Sequence, residues 1–206
     1  MMRALVLLVL LGFIGCGPAV PKVPLGETWP AQPPPPDDYE DITEKWTRVK
    51  NLRDQYQEVL ELAATLKSPE WRAVHAARDA EHRKLTGAAR DARLAQAQAE
   101  MAGPYEIQLM VTTWDRREND LNRGKKSIWR VVLVDDQGTE IEPIEIVKDK
   151  RPAFTVRADF PAYGDFATAY VARFPRDKAV LGPGVRQVRL RMSSSRGGVE
   201  VAWEAP

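Results

Sequence analysis

A single cysteine, Cys16, stands in a chain of 206 residues, so no intramolecular disulfide framework can staple the fold. Only two histidines are present, His75 and His82, which leaves few groups for imidazole catalysis. An excess of one charge is missing too. Lys and Arg number 30 against 29 Asp and Glu, whereas binders of nucleic acid or anionic surfaces carry a basic surplus. The first apolar run, Ala4 to Ile14, falls well short of the roughly 20 residues that span a bilayer as a helix. No phosphate-cradling glycine loop, paired-carboxylate motif, nucleophile elbow or fixed-period repeat occurs, so the sequence points to no cofactor and to no enzyme class.

What is present begins at the N-terminus. Met1, Met2 and Arg3 make a short basic start, the apolar run follows, and Gly15 places a small residue immediately before Cys16. That is the shape of a signal peptide over residues 1–15. The stretch Phe13-Ile14-Gly15-Cys16 resembles the lipobox of bacterial lipoproteins, with Phe13 where leucine is usual. The resemblance implies that Cys16 is lipidated, becomes the new N-terminus and is acylated again. Several acyl chains hold a protein stably, since each buried methylene contributes about 0.8 kcal/mol. Gly17, rather than aspartate, after the cysteine implies the periplasmic face of the outer membrane. The proline-rich stretch 16–36 ends in four consecutive prolines and is expected to be an extended, semi-rigid tether.

Beyond the tether the pattern predicts an α+β protein. Ile42, Trp46, Val49, Leu52, Tyr56, Val59, Leu60, Ala63 and Leu66 recur at spacings of three and four, the signature of one helical stripe. Ser68-Pro69-Glu70 then supplies an N-cap, a proline at the first helical position and an acid at the positive end of the dipole. A second helix is expected to run to about Met101, making residues 37–103 an antiparallel helical hairpin. Residues 104–206 switch to period two: 105–114, 127–134, 139–147, 153–158, 166–174, 185–192 and 199–204 read as seven strands. Asp135-Asp136-Gln137-Gly138 and Arg196-Gly197-Gly198 read as hairpin turns. Seven short antiparallel strands suggest an immunoglobulin-like β-sandwich, with a domain boundary at Pro104.

Several residues stand out as candidates. Amphipathic helices of this length leave apolar area that one mutual seam cannot hide, so Trp46 and Tyr56 are expected at a contact with an envelope protein or a second copy. The polar connection Trp114 to Lys126 concentrates Arg116 and Arg117 between strands, where binding residues are usually carried. His75, Asp79 and His82, at i, i+4 and i+7 of the second helix, could converge on a zinc ion. Arg189 and Arg191 share one strand face and read as the wet side of a sheet. Together these features suggest a non-enzymatic interaction or assembly module, lipid-anchored in the envelope. The alternatives are a hydrolase with the helix-borne metal, or a carrier holding an apolar ligand between hairpin and sandwich.

Overall fold

A computed structural model describes residues 20–54 and 57–206; Cys16 and Tyr56 lie outside the described residues. Helix α1 (Tyr39–Trp46) leads into β1 (Thr47–Arg53) and β2 (Glu58–Leu66), and α2 (Pro69–His82) and α3 (Gly87–Ala99) follow. Then come β3 (Tyr105–Thr113), β4 (Arg130–Val134), β5 (Glu140–Ile141) and β6 (Glu145–Lys148). The chain ends with α4 (Ala153–Asp159), β7 (Thr168–Phe174), β8 (Gln187–Ser194) and β9 (Gly197–Glu204). The strands form two antiparallel sheets, ordered β1-β2-β3-β7-β6 and β5-β4-β8-β9, which share one apolar core.

The expected first helix stops at Trp46, and residues 47–66 form a β-hairpin instead, with Val49 opposite Ala63 and Leu52 opposite Leu60. The reason lies in β2: its Val59, Leu60, Leu62, Ala63, Ala64, Thr65 and Leu66 are all buried, so both faces are covered and no alternation survives in the sequence. A strand buried on both faces reads like a helix segment by pattern alone. The expected second helix does start where Ser68 predicts, its hydroxyl accepting from the Trp71 amide at 3.1 Å. It breaks after His82, where Lys84 takes φ of 55° while the amides of Lys84 and Leu85 reach the carbonyls of Glu81 and Ala80. That is a left-handed helix stop with lysine in the position glycine usually fills. Helix α3 then returns along α2, with Arg93 reaching Asp79 and Arg72 approaching Glu100.

Two expected strands also differ. Residues 153–158 are helical because the packing pair is Val156 and Phe160, four apart and both buried, while Phe154 points to solvent. The stretch 139–147 is cut at Pro143 into β5 and β6, which belong to different sheets. Both expected hairpin turns are formed, at Asp135 to Thr139 and between Ser194 and Gly197.

The Pro104 boundary does not separate two units, nor do residues 104–206 form a self-contained immunoglobulin-like sandwich. β2 pairs with β3 from Leu60↔Thr113 to Leu66↔Ile107, so the hairpin preceding Pro104 completes the sheet that follows it. The two sheets meet where β1 lies along β9: Arg48 Nε donates to the Ala202 carbonyl at 2.8 Å, and Trp203 Nε1 to that of Trp46 at 2.8 Å. Leu52 reaches Gly197, whose φ of 120° suits glycine. The proline-rich segment is not a free tether over its whole length either. Val23 and Leu25 are buried, the Val23 amide donates to the Glu204 carbonyl and the Leu25 carbonyl accepts from Gly182.

A fragment from Pro104 to Pro206 is therefore expected not to fold. It would expose the inner face of β3 and free its edge toward β2, and circular dichroism should show no cooperative melt. A cooperative β-type transition in this fragment would contradict the shared sheet.

Candidate functional site

The start of β2, the end of β3 and the start of β7 share one margin of the five-stranded sheet, where Leu60 pairs Thr113 and Val111 pairs Thr168. The connection after β3 folds over this margin through two short 3-10 turns, Arg116–Glu118 and Leu121–Lys126. It is pinned rather than loose. Asn119 donates to the Val111 carbonyl at 2.7 Å, and the Tyr170 hydroxyl bonds to Asn119 Oδ1 at 2.8 Å and to its carbonyl at 2.9 Å. Trp129 Nε1 donates to the Glu118 carbonyl, and buried Asp120 accepts from Ser127 and the Ile128 amide. Burial, with the nearby Asp120 charge, pushes the Tyr170 phenol up to about 12, so it stays a neutral hydrogen-bonding group.

This margin holds an open cleft of about 610 Å³. Its rims are Trp114, 70% exposed, and Phe166, 72% exposed. The Arg116 guanidinium lies 5.8 Å from the Phe166 ring centroid, within the range of a cation–π contact. Glu58, Glu61, Thr112, Lys148 and Asp165 supply polar walls. Glu58 is engaged by Asn51 and Asp165 by Arg157.

Among the described residues, the connection singled out by sequence contributes Arg116 to this cleft, together with Trp114 and Asn119. Arg117 turns back on Asp115, Nη2 to Oδ2 at 2.7 Å, and its side-chain and backbone hydrogen bonds hold the Asp115 carboxyl at about 2. Trp46 is no contact residue: it is fully buried, and its Nε1 donates to Glu70 Oε2 at 2.7 Å. The His75, Asp79 and His82 trio does not converge. Arg93 Nε holds the Asp79 carboxylate at 2.6 Å, and Arg83 approaches it as well. His75 stacks on Trp71 at 4.9 Å and sits 3.6 Å from Asp159, while His82 is exposed. Among the described residues no group of three His, Cys, Asp or Glu side chains is placed to hold a metal. Arg189 and Arg191 do lie on the outer sheet face, both paired with Glu200.

Phe166 escaped attention because it reads as the first residue of a strand, and Trp114, though it opens the polar connection, does not read as a contact group. Phase gives no warning in β3, where Gln108 and Met110, in phase with Trp114, are buried along with Ile107, Leu109 and Val111.

The helices are bolted to the Glu106 face of the same sheet by half-buried charge. Glu106 accepts from Arg173 Nε at 2.8 Å, Arg72 Nη2 at 3.2 Å and Lys67 Nζ at 3.3 Å. Burial would raise its carboxyl, but the Lys67 charge and the Arg173 and Arg72 contacts overcome that and hold it at about 2. Burial pushes the Lys67 ammonium down.

The chain matches no family model, no curated protein and no solved structure. Its function is therefore argued from this geometry.

Glu106 also sets an acid response. Its folded pKa lies below the unfolded value, so its stabilisation is complete above that value and is lost as pH falls from about 4.5 toward about 2. Up to about 3 kcal/mol is at stake. Glu106→Gln should show its largest stability deficit at pH 7 in urea unfolding, and a clearly smaller one at pH 3. A deficit independent of pH would contradict the ionised network.

Proposed function

We propose that the protein is a lipid-anchored, non-enzymatic binding module of the bacterial envelope, held to a membrane through Cys16 and engaging its partner through the Trp114–Phe166 cleft. The observation that carries the reading is the pair of large aromatic rings left about seven-tenths exposed in one cleft whose backbone is rigidly pinned. Covering one such side chain contributes about 1.5–3 kcal/mol, and contiguous exposed apolar surface marks interaction sites. Tryptophan and arginine are also the residues most enriched where binding energy concentrates.

The anchor half of the proposal rests on the sequence around Cys16. The packing of Val23 and Leu25 refines it. Only the five residues up to Pro21 would separate a lipidated Cys16 from the folded body, a reach of about 16 Å at most, so the body would stay close to the lipid surface. Among the described residues no helix is long and apolar enough to cross a membrane.

Two observations favour this reading over the alternatives. A helix-borne metal would need Asp79, which two arginines occupy. A carrier would need room between the layers, where Trp46, Trp203, Tyr170 and Phe174 are fully buried in the shared core.

The test uses the full chain in its native envelope. Cys16→Ser should release the protein into the soluble fraction and abolish palmitate labelling. A photoreactive benzoylphenylalanine in place of Phe166 should give a discrete adduct on irradiation, whereas the same residue in place of Phe154, 75% exposed on α4, should not. Unchanged labelling would remove the anchor, and equal adducts at both positions would remove the cleft.

A further inference from the structure

We infer that the cleft binds a neutral carbohydrate chain, a proposal that rests on the cleft being the contact surface. The first ground is the pairing of ring faces with hydrogen-bonding groups. An aromatic face carries partial negative charge and suits the slightly positive C–H face of a pyranose ring; Trp114 is largely exposed at the rim, and Phe166 keeps most of its surface exposed although Arg116 approaches its ring. Each sugar hydroxyl both donates and accepts. The walls offer both roles: the Glu61 carboxylate accepts, Lys148 and Arg116 donate, and the Thr112 hydroxyl does either.

The second ground is what the cleft lacks. Its lining charges nearly cancel, Glu58, Glu61 and Asp165 against Arg116 and Lys148, so it has no basic surplus for a phosphate backbone. An extended peptide would be held by main-chain bonds to a free strand edge. Here the lining comes from the ends of β2, β3 and β7, each already paired on both sides, and the edge strand β6 contributes only its last residue, Lys148. A helical peptide would want a continuous apolar groove, whereas Glu58, Glu61, Asp165, Arg116 and Lys148 share this lining with the rings.

The third ground is rigidity. The Asn119 and Tyr170 hydrogen bonds fix the turn that carries Arg116 beside Phe166, which reduces the ordering cost on binding. A shallow site built from few contacts depends on such preorganisation.

The test is isothermal titration of the full chain, in a detergent without a sugar headgroup, with chitotetraose and cellotetraose. Fluorescence provides a second readout: of the six tryptophans, Trp46, Trp71, Trp129 and Trp203 are buried and Trp29 is half-buried outside the cleft lining, so a bound sugar should perturb chiefly Trp114. Saturable binding of at least one tetrasaccharide is expected, weakened about tenfold by Trp114→Ala or Phe166→Ala, a factor equal to about 1.4 kcal/mol. Both variants should melt within a degree or two of the parent, because the rings are exposed. Lys148→Ala, at the exposed end of β6 in the lining, should weaken binding without altering the fold.

Failure of both sugars to bind, or binding indifferent to both ring substitutions, overturns the proposal. The Phe166 adduct separates that failure from failure of the binding reading. A polypeptide adduct without sugar binding would keep the cleft and discard the carbohydrate. Absence of both adduct and sugar binding would discard both.

Discussion

Arg48 donates to four main-chain carbonyls, those of Ala202, Lys45, Thr47 and Pro21, each at 2.8 Å. It sits where the two sheets come together without a continuous ladder between β1 and β9, so carbonyls that would otherwise be orphaned at the seam are satisfied by one guanidinium. Arginine suits this task because its planar fork offers five donors and it is less strongly hydrated than lysine. The residue is only 6% exposed, and burial lowers its pKa. Leaving a buried polar group without a partner costs roughly 1–3 kcal/mol, so several such groups at one corner would rival the whole stability of a small domain. The same corner holds Trp203 Nε1 on the Trp46 carbonyl and Trp46 Nε1 on Glu70. It thereby joins β9, α1, α2 and the N-terminal segment.

With that corner closed, the sheets present two different exteriors. The face carrying Glu106 is covered by α2 and α3 through Lys67, Arg72 and Arg173, and the Trp71 ring stacks on Phe160 at 5.4 Å to hold the end of α4. The outer face of the four-stranded sheet stays wet, with Arg130, Glu140, Arg191, Glu200 and Arg189 paired in sequence across it. Neither exterior leaves a broad apolar surface. Exposed aromatic area at the strand margin belongs instead to the connections, where a rigid scaffold commonly places binding groups.

The sequence was legible where burial was one-sided. β8 alternates buried Val188, Leu190 and Met192 with half-buried Gln187, Arg189 and Arg191, and its period of two is visible at once. It was illegible in β2, whose two covered faces erase the period, and the error spread to β1 because Trp46, Val49 and Leu52 happen to fall three apart. Period two also misled at residues 153–158, where Val156 and Phe160 pack as a helical pair. The Ser68 cap was legible because its chemistry is local. Arg116 and Arg117 could not be distinguished, since their difference depends on which guanidinium the Asp115 carboxylate captures. Arg48 gave no signal at all: its partners are carbonyls, which every residue has, brought together only by the fold.

The register of the strands fixes one more relation. Pro21 and Val23 are held near Arg48 and Glu204, at the end of the sheets where Thr47 pairs Thr65 and Val188 pairs Trp203. The cleft lies at the other end, with Leu60, Thr113 and Thr168, on the side where Leu52 meets Gly197 and Arg196 pairs Glu118. About seven strand residues separate the two ends, roughly 23 Å at 3.3 Å per residue. A chain tethered by a few residues beyond Pro21 would thus keep one end of its sheets at the lipid and hold the Trp114–Phe166 cleft at the opposite end. The short tether and the distal cleft are complementary. A long free linker would leave orientation to chance, whereas, with lipid on Cys16, a packed N-terminal segment would confine the proposed binding surface to the side facing away from the membrane.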